Sequence, residues 1–201
     1  MIILKPSKES LEKSVEMIRK GCIIICPTDT VYGFLADATN KKAVEKIYKI
    51  KKRQKYKPLP VFIKDFKMAK DLAEIDEKQE KLIKKKWPGK YTFILELKSQ
   101  ISKRKTTTQK PKLYGMKKDG TIAIRLPKHK FLNDLLKKIN RPLVQTSVNI
   151  SGEKSLTYIK DITDEFQKDR RITLIIDGGN IRNAKSSKII DLTKEKLTIL
   201  R

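Results

Sequence analysis

The chain has 201 residues, enough for one domain with a sizeable core, and no apolar run approaches the 18 residues of a membrane-spanning helix. Lysine and arginine number 48 against 23 acidic residues, a formal charge of +25, so the field favours anionic partners or reflects a lysine-rich solvated surface. A single histidine, His129, excludes a multi-histidine zinc site and leaves one candidate base for a Ser-His-Asp arrangement, so any catalysis is expected to rest on hydroxyls, cations and a metal carried by a ligand.

The opening segment Met1–Pro6 becomes charged too early for a signal peptide, and a cytoplasmic protein without membrane association is expected. Ile2 to Leu4 reads as a first strand. Ser7 or Ser10 caps a helix to Lys20, with Leu11, Val15 and Ile18 on one stripe and Gly21 as its stop. Gly21 to Pro27 is a buried strand carrying Cys22 and Cys26, which share a face four residues apart and are too distant to bridge. Asn40 caps a helix through about Lys51, with Val44, Ile47 and Tyr48 spaced for burial.

Pro60 to Ile63 is a short strand, Asp65 to Leu72 a short helix, and Glu77 to Lys86 an amphipathic helix ended by Trp87-Pro88-Gly89. Tyr91 to Leu97 alternates as a strand does. Lys98 to Gly120 has no period and reads as a long basic loop, either functional or disordered. Thr121 to Leu126 is a strand, Lys130 to Ile139 a helix, and Leu143 to Thr146 a strand running into a Ser147/Asn149 turn. A helix near Asp161 to Lys168 and strands at Thr173–Asp177, Ser187–Leu192 and Leu197–Leu200 complete the set. Mixed strands and helices without a repeat predict a single α/β domain over residues 1–201, built on a twisted mixed sheet with flanking helices.

Three clusters carry chemistry. Pro27-Thr28-Asp29-Thr30-Val31-Tyr32-Gly33 ends a buried strand in hydroxyls, a carboxylate and a glycine, either a capped turn or the mouth of a pocket. Lys51-Lys52-Arg53 pairs a compact point charge with a guanidinium fork; in an extended segment a spacing of two sets both on one side, where they suit phosphate oxygens. Ser147-Val148-Asn149, followed by Ser151-Gly152, lies at the carboxyl end of an apolar strand, a common place for ligands in open α/β sheets and equally for an ordinary polar turn. Arg125 ends its strand before Leu126-Pro127 and is placed to reach a phosphate or carboxylate. His129 reads as a helix-start residue and Asp177-Gly178-Gly179 as a turn.

Taken in order, these segments resemble the YrdC-like family of threonylcarbamoyl-AMP synthases in its short, single-domain form. The resemblance rests on Pro27–Gly33, Lys51-x-Arg53 with Pro58-Leu59, Trp87-Pro88-Gly89 with Thr92, Ile124-Arg125-Leu126-Pro127, Ser147-x-Asn149 with Ser151-Gly152, Asp177-Gly178-Gly179, and Ser187 ahead of Ile189-Ile190-Asp191. Gln54, Lys90, Lys154 and Leu156 stand where the family usually has proline.

The resemblance implies an α/β domain with a concave electropositive cavity and a nucleotidyltransferase that joins L-threonine, bicarbonate and ATP into threonylcarbamoyl-AMP, releasing pyrophosphate. It implies Mg²⁺ carried by the ATP phosphates and a downstream tRNA threonylcarbamoyl-transferase as recipient of the product. By analogy Thr28, Thr30 and Tyr32 frame threonine, Lys51 and Arg53 are catalytic, and Lys51, Arg53, Arg125, Ser147, Asn149 and Ser187 hold ATP. The competing expectation is a non-catalytic protein of the same fold that binds tRNA or double-stranded RNA, or serves ribosome assembly.

Overall fold

A computed structural model describes residues 1–98, 112–116, 119–182, 184–194 and 197–200. Its strands are β1 (Ile2–Leu4), β2 (Ile23–Cys26), β3 (Gly33–Asp37), β4 (Val61–Phe62), β5 (Tyr91–Glu96), β6 (Thr121–Arg125), β7 (Leu143–Ser147), β8 (Ile172–Ile176), β9 (Lys188–Asp191) and β10 (Thr198–Ile199). They form one mixed sheet in the order β1-β8-β2-β3-β7-β4-β6-β5-β9-β10. The helices are α1 (Lys8–Arg19), α2 (Lys41–Ile50), α3 (Phe66–Leu72), α4 (Glu77–Lys84), α5 (Lys130–Ile139) and α6 (Ile159–Phe166). None among the described residues is long and apolar enough to cross a membrane.

Capping chemistry sets most helix starts. Ser7 and Ser10 form a reciprocal capping box on α1, Asn40 accepts from Ala43 N at 3.1 Å on α2, and Asp65 and Asp76 cap α3 and α4. On α5 the cap is His129, whose Nδ1 accepts from Leu132 N at 3.4 Å; burial lowers its pKa, which suits a neutral acceptor.

The centre of the sheet, at β2 and β3, is buried on both sides. On β2, Ile24 and Cys26 face a core with α1 and α5, while Ile23 and Ile25 face the core that holds Val44 and Ile47 of α2 and Phe166 of α6. Each such side chain contributes about 1.5–3 kcal/mol, which explains a continuous apolar run where a one-sided strand would alternate. Both cysteines are free thiols. The expectation that both lie on the strand is corrected: β2 starts at Ile23, so only Cys26 is within it, and burial raises its thiol pKa.

The largest departure from the sequence reading is β3, a stretch to which that reading assigned no element beyond Gly33. Gly33 and Ala36 are poor strand formers, and burial on both faces erases alternation. β3 pairs antiparallel with β2 and β7, in register Gly33↔Ser147, and so joins two of the predicted clusters. Most of the predicted loop Lys98–Gly120 lies outside the described residues, as does Arg201.

Candidate active site

A cavity of about 400 Å³ opens over the sheet and takes in the turn beyond the carboxyl end of β7, with Asn149, Ser151 and Gly152 in its lining. Its floor draws on Gln145, Thr146 and Ser147 of β7, Ala123 and Arg125 of β6 and Ile94 of β5. Leu143, on the same face of β7 as Gln145 and Ser147, belongs to the core with α1 and α5, so the cavity occupies a stretch of that face that the two helices leave open. Smaller recesses of about 240 and 390 Å³ share its walls at Pro58 and Ala123, and at Val31 and Ser186. Four cations line the cavity, Lys51, Arg53, Lys57 and Arg125; no Asp or Glu among the described residues does.

Lys51 and Arg53 stand at a helix ending, as expected, but a left-handed turn joins them where an extended segment was expected. Lys51 is the C-cap of α2, and Lys52 turns left-handed at φ 49°. Arg53 N then donates to Tyr48 O at 2.9 Å and Lys52 N to Lys49 O at 3.3 Å, the closing pattern usually served by glycine at the position of Lys52. The Arg53 guanidinium donates to Pro58 O at 2.9 Å and Lys57 O at 3.3 Å, fixing the loop that forms one rim.

The Lys51 ammonium is buried and donates to Ser147 O at 2.6 Å, Asn149 O at 2.8 Å and Asn149 Oδ1 at 2.9 Å. Ser147 Oγ donates to the same Oδ1 at 2.7 Å, and Asn149 Nδ2 donates to Ile150 O and Glu153 O, each at 2.8 Å. Burial, then the charge of Arg53, pulls the Lys51 pKa down to about 7. Three oxygen acceptors oppose that pull, because only the ammonium has three protons to give.

Across the cavity, Arg125 is 2% exposed and donates to Gly89 O at 3.0 Å, Thr30 Oγ1 at 3.1 Å and the Asp29 carboxylate. The other Asp29 oxygen accepts from Lys128 N at 3.1 Å. Thr28 Oγ1 donates to Val31 O at 2.7 Å, which leaves Thr30 as donor in the 2.9 Å contact between the two hydroxyls. Thr30 has thereby spent its proton and offers the cavity only a lone pair.

The structure brings Thr30, Lys51, Arg53, Arg125, Ser147, Asn149 and Ser187 to one cavity. Thr28 and Tyr32 are not among its lining residues. Tyr32 is fully buried, donates to Gly179 O at 2.7 Å and accepts from Gly178 N at 3.0 Å; burial pushes its phenol up to about 12. Gly178 also packs closely on Pro27, since a Cβ there would lie 2.7 Å from Pro27 Cγ. Asp177 caps the same turn by accepting from Gly179 N at 2.9 Å. Ser187 shares a 3.0 Å hydrogen bond with Thr92. Gln145, Lys57 and Ser151 also line the cavity, and the sequence reading assigned them no role. Gln145 was visible in principle, two residues before Ser147 on one strand.

The family model described as "Telomere recombination" (Sua5/YciO/YrdC) matches residues 16–201. The chain belongs to the Sua5/YciO/YrdC family. It is 37% identical over 185 residues to the threonylcarbamoyl-AMP synthase of Pyrococcus abyssi, covering 92% of this chain and 51% of that protein. It is 33% identical over 203 residues to the putative threonylcarbamoyl-AMP synthase of Methanocaldococcus jannaschii, covering 99% of this chain and 90% of that protein. P. abyssi Sua5 complexed with L-threonine superposes with a TM-score of 0.86 at 31% identity, over all of this chain and 56% of that one. This Sua5/YciO/YrdC chain thus spans about half the length of the P. abyssi relative and nearly all of the M. jannaschii one.

Proposed function

We propose that this chain is an L-threonylcarbamoyladenylate synthase. The observation that carries the reading is a cavity lined by four cations and no described carboxylate, in a family member whose P. abyssi relative was crystallised with L-threonine. On this reading the threonine amine and bicarbonate combine, with loss of water, into an N-carboxylate. One of its oxygens attacks the α-phosphorus of ATP, the bond to the β-phosphate breaks, and pyrophosphate leaves. Such a step asks the protein for positioning and charge neutralisation more than for covalent chemistry.

The residues suit those tasks. Arg53 and Lys57 on the rim and Lys51 behind the Ser147–Asn149 turn supply positive potential for the triphosphate, and Arg125 and Thr30 form the opposite wall for the threonine end. Thr28 and Tyr32 serve as supports of that wall, through Thr30 and Gly178. Mg²⁺ enters as the counter-ion of ATP, since the described lining offers no carboxylate to hold an ion of its own. The product passes to a tRNA-modifying transferase in the cytoplasm.

Pyrophosphate release from MgATP and bicarbonate, with and without L-threonine, tests the proposal. Release that depends on threonine, with serine clearly poorer, is the expected result. Release indifferent to the amino acid, or no release from folded protein, would overturn it.

A further inference from the structure

Ser151 lies in the turn after β7 and lines the cavity, yet its hydroxyl is buried without a hydrogen-bond partner among the described residues. Buried hydroxyls nearly always have one. The second such atom, Asn133 Oδ1, sits on α5 and is not part of the cavity lining.

The rest of the turn is committed. Ser147 Oγ gives its proton to Asn149, and the Asn149 amide gives both of its protons to carbonyls. Ser151 N itself donates to Lys51 O at 2.9 Å, which ties the residue to the end of α2. Among the side chains from Ser147 to Gly152 that line the cavity, Ser151 carries the uncommitted proton. An unpaired O–H calls for an acceptor, and the neighbourhood selects an anionic one: Lys51 is bonded to the same residue's backbone, Arg53 lies two residues on, and no described carboxylate faces the cavity.

We infer that Ser151 Oγ donates to a phosphoryl oxygen of the nucleotide, which makes Ser151 a substrate-contacting residue. The inference rests on the proposed reading of the cavity as a nucleotide site, and it separates two roles on one turn. Lys51, Ser147 and Asn149 hold each other in place, and Ser151 keeps a proton to give.

Ser151→Ala separates this role from a structural one by sign. In the ligand-free protein it removes an unsatisfied group, so the melting temperature stays level or rises by about 2–4 °C. Binding of MgATP, followed by calorimetry so that no turnover is needed, weakens by about 10-fold or more. The KM for threonine stays within about twofold. Ser151→Cys, a weaker donor, falls between wild type and alanine in MgATP affinity and keeps the test open if the alanine variant folds poorly. Unchanged MgATP affinity would overturn the inference. So would a lowered melting temperature with equal weakening of both substrates, which would mark a structural hydroxyl. If wild type releases no threonine-dependent pyrophosphate while Ser151→Ala still loses MgATP affinity, the proposed reaction fails and the phosphoryl contact stands.

Discussion

On one wall of the cavity Arg125 meets the carboxylate of Asp29; on the other Lys51 donates to neutral oxygens of Ser147 and Asn149. Both cations are 2% exposed, so the difference is not one of burial. A carboxylate partner compensates a buried charge and locks geometry, which suits a residue that holds the Thr30 loop and the Gly89 turn together. Carbonyl and amide oxygens satisfy the ammonium's protons but leave its net charge uncancelled, and burial then pulls its pKa down. On the proposed reading, the charge is left without a countercharge where an anion is to bind, and is cancelled where a wall must be held.

The largest effect should come from breaking the cancelled pair. Asp29→Asn removes the carboxylate that pairs with the buried Arg125, and we expect a loss of about 3–5 kcal/mol in denaturant unfolding. A loss below about 1 kcal/mol would mean that Gly89, Thr30 and the other partners of Arg125 suffice, and the contrast between the walls would collapse. Lys51→Met should leave a folded protein whose threonine-dependent pyrophosphate release is down about 10²–10³-fold, the range for a lost preorganised charge. Near-normal turnover at saturating ATP would remove Lys51 from the reaction.

The two walls should also part in their response to pH. The folded pKa of Lys51, about 7, lies below the ordinary 10.5, so between those values the unfolded chain binds more protons than the folded one. Stability contributed by this residue therefore rises from about pH 7 to 10.5, while activity that needs its ammonium falls over the start of that window. Melting curves of wild type and Lys51→Met across pH check the sign: the wild type should gain on the variant as pH rises. A difference flat in pH would place the folded pKa near its ordinary value.

Much of this was legible in the chain. Ser7, Asn40 and Asp65 announce their helices because capping is local chemistry, and the order of the polar clusters carries the family resemblance. β3 was not legible, because a short strand buried on both faces and opened by glycine has neither alternation nor propensity to betray it. Tyr32 illustrates a different limit. Its hydroxyl stands in a polar run that looks like a pocket mouth, yet its partners are backbone groups at Gly178 and Gly179, some 146 residues on. Whether a hydroxyl faces a ligand or a distant carbonyl depends on tertiary pairing, and no spacing encodes that. For Ser151 the difficulty is the reverse: the residue is plain in the sequence, but its lack of a partner becomes visible only after every neighbour's protons have been assigned.

The smallest effect concerns the turn that sets Lys51 and Arg53 side by side. Lys52 has φ 49°, a region where an L side chain costs about 1–2 kcal/mol and glycine nothing, against which glycine loses about 0.5–1 kcal/mol of chain entropy. Lys52→Gly should therefore raise stability by about 0.5–1 kcal/mol, a shift of a few degrees at most in the melting temperature. The Lys52 side chain is exposed and does not line the cavity, so pyrophosphate release should stay at the wild-type rate. A more stable variant with slower release would show that the glycine lets the two cations drift apart, and that the strained lysine is retained because a stiff turn keeps Arg53 on the rim. A less stable variant would mean that the left-handed turn is held by its hydrogen bonds to Lys49 and Tyr48 at no strain, and the argument from φ would fall.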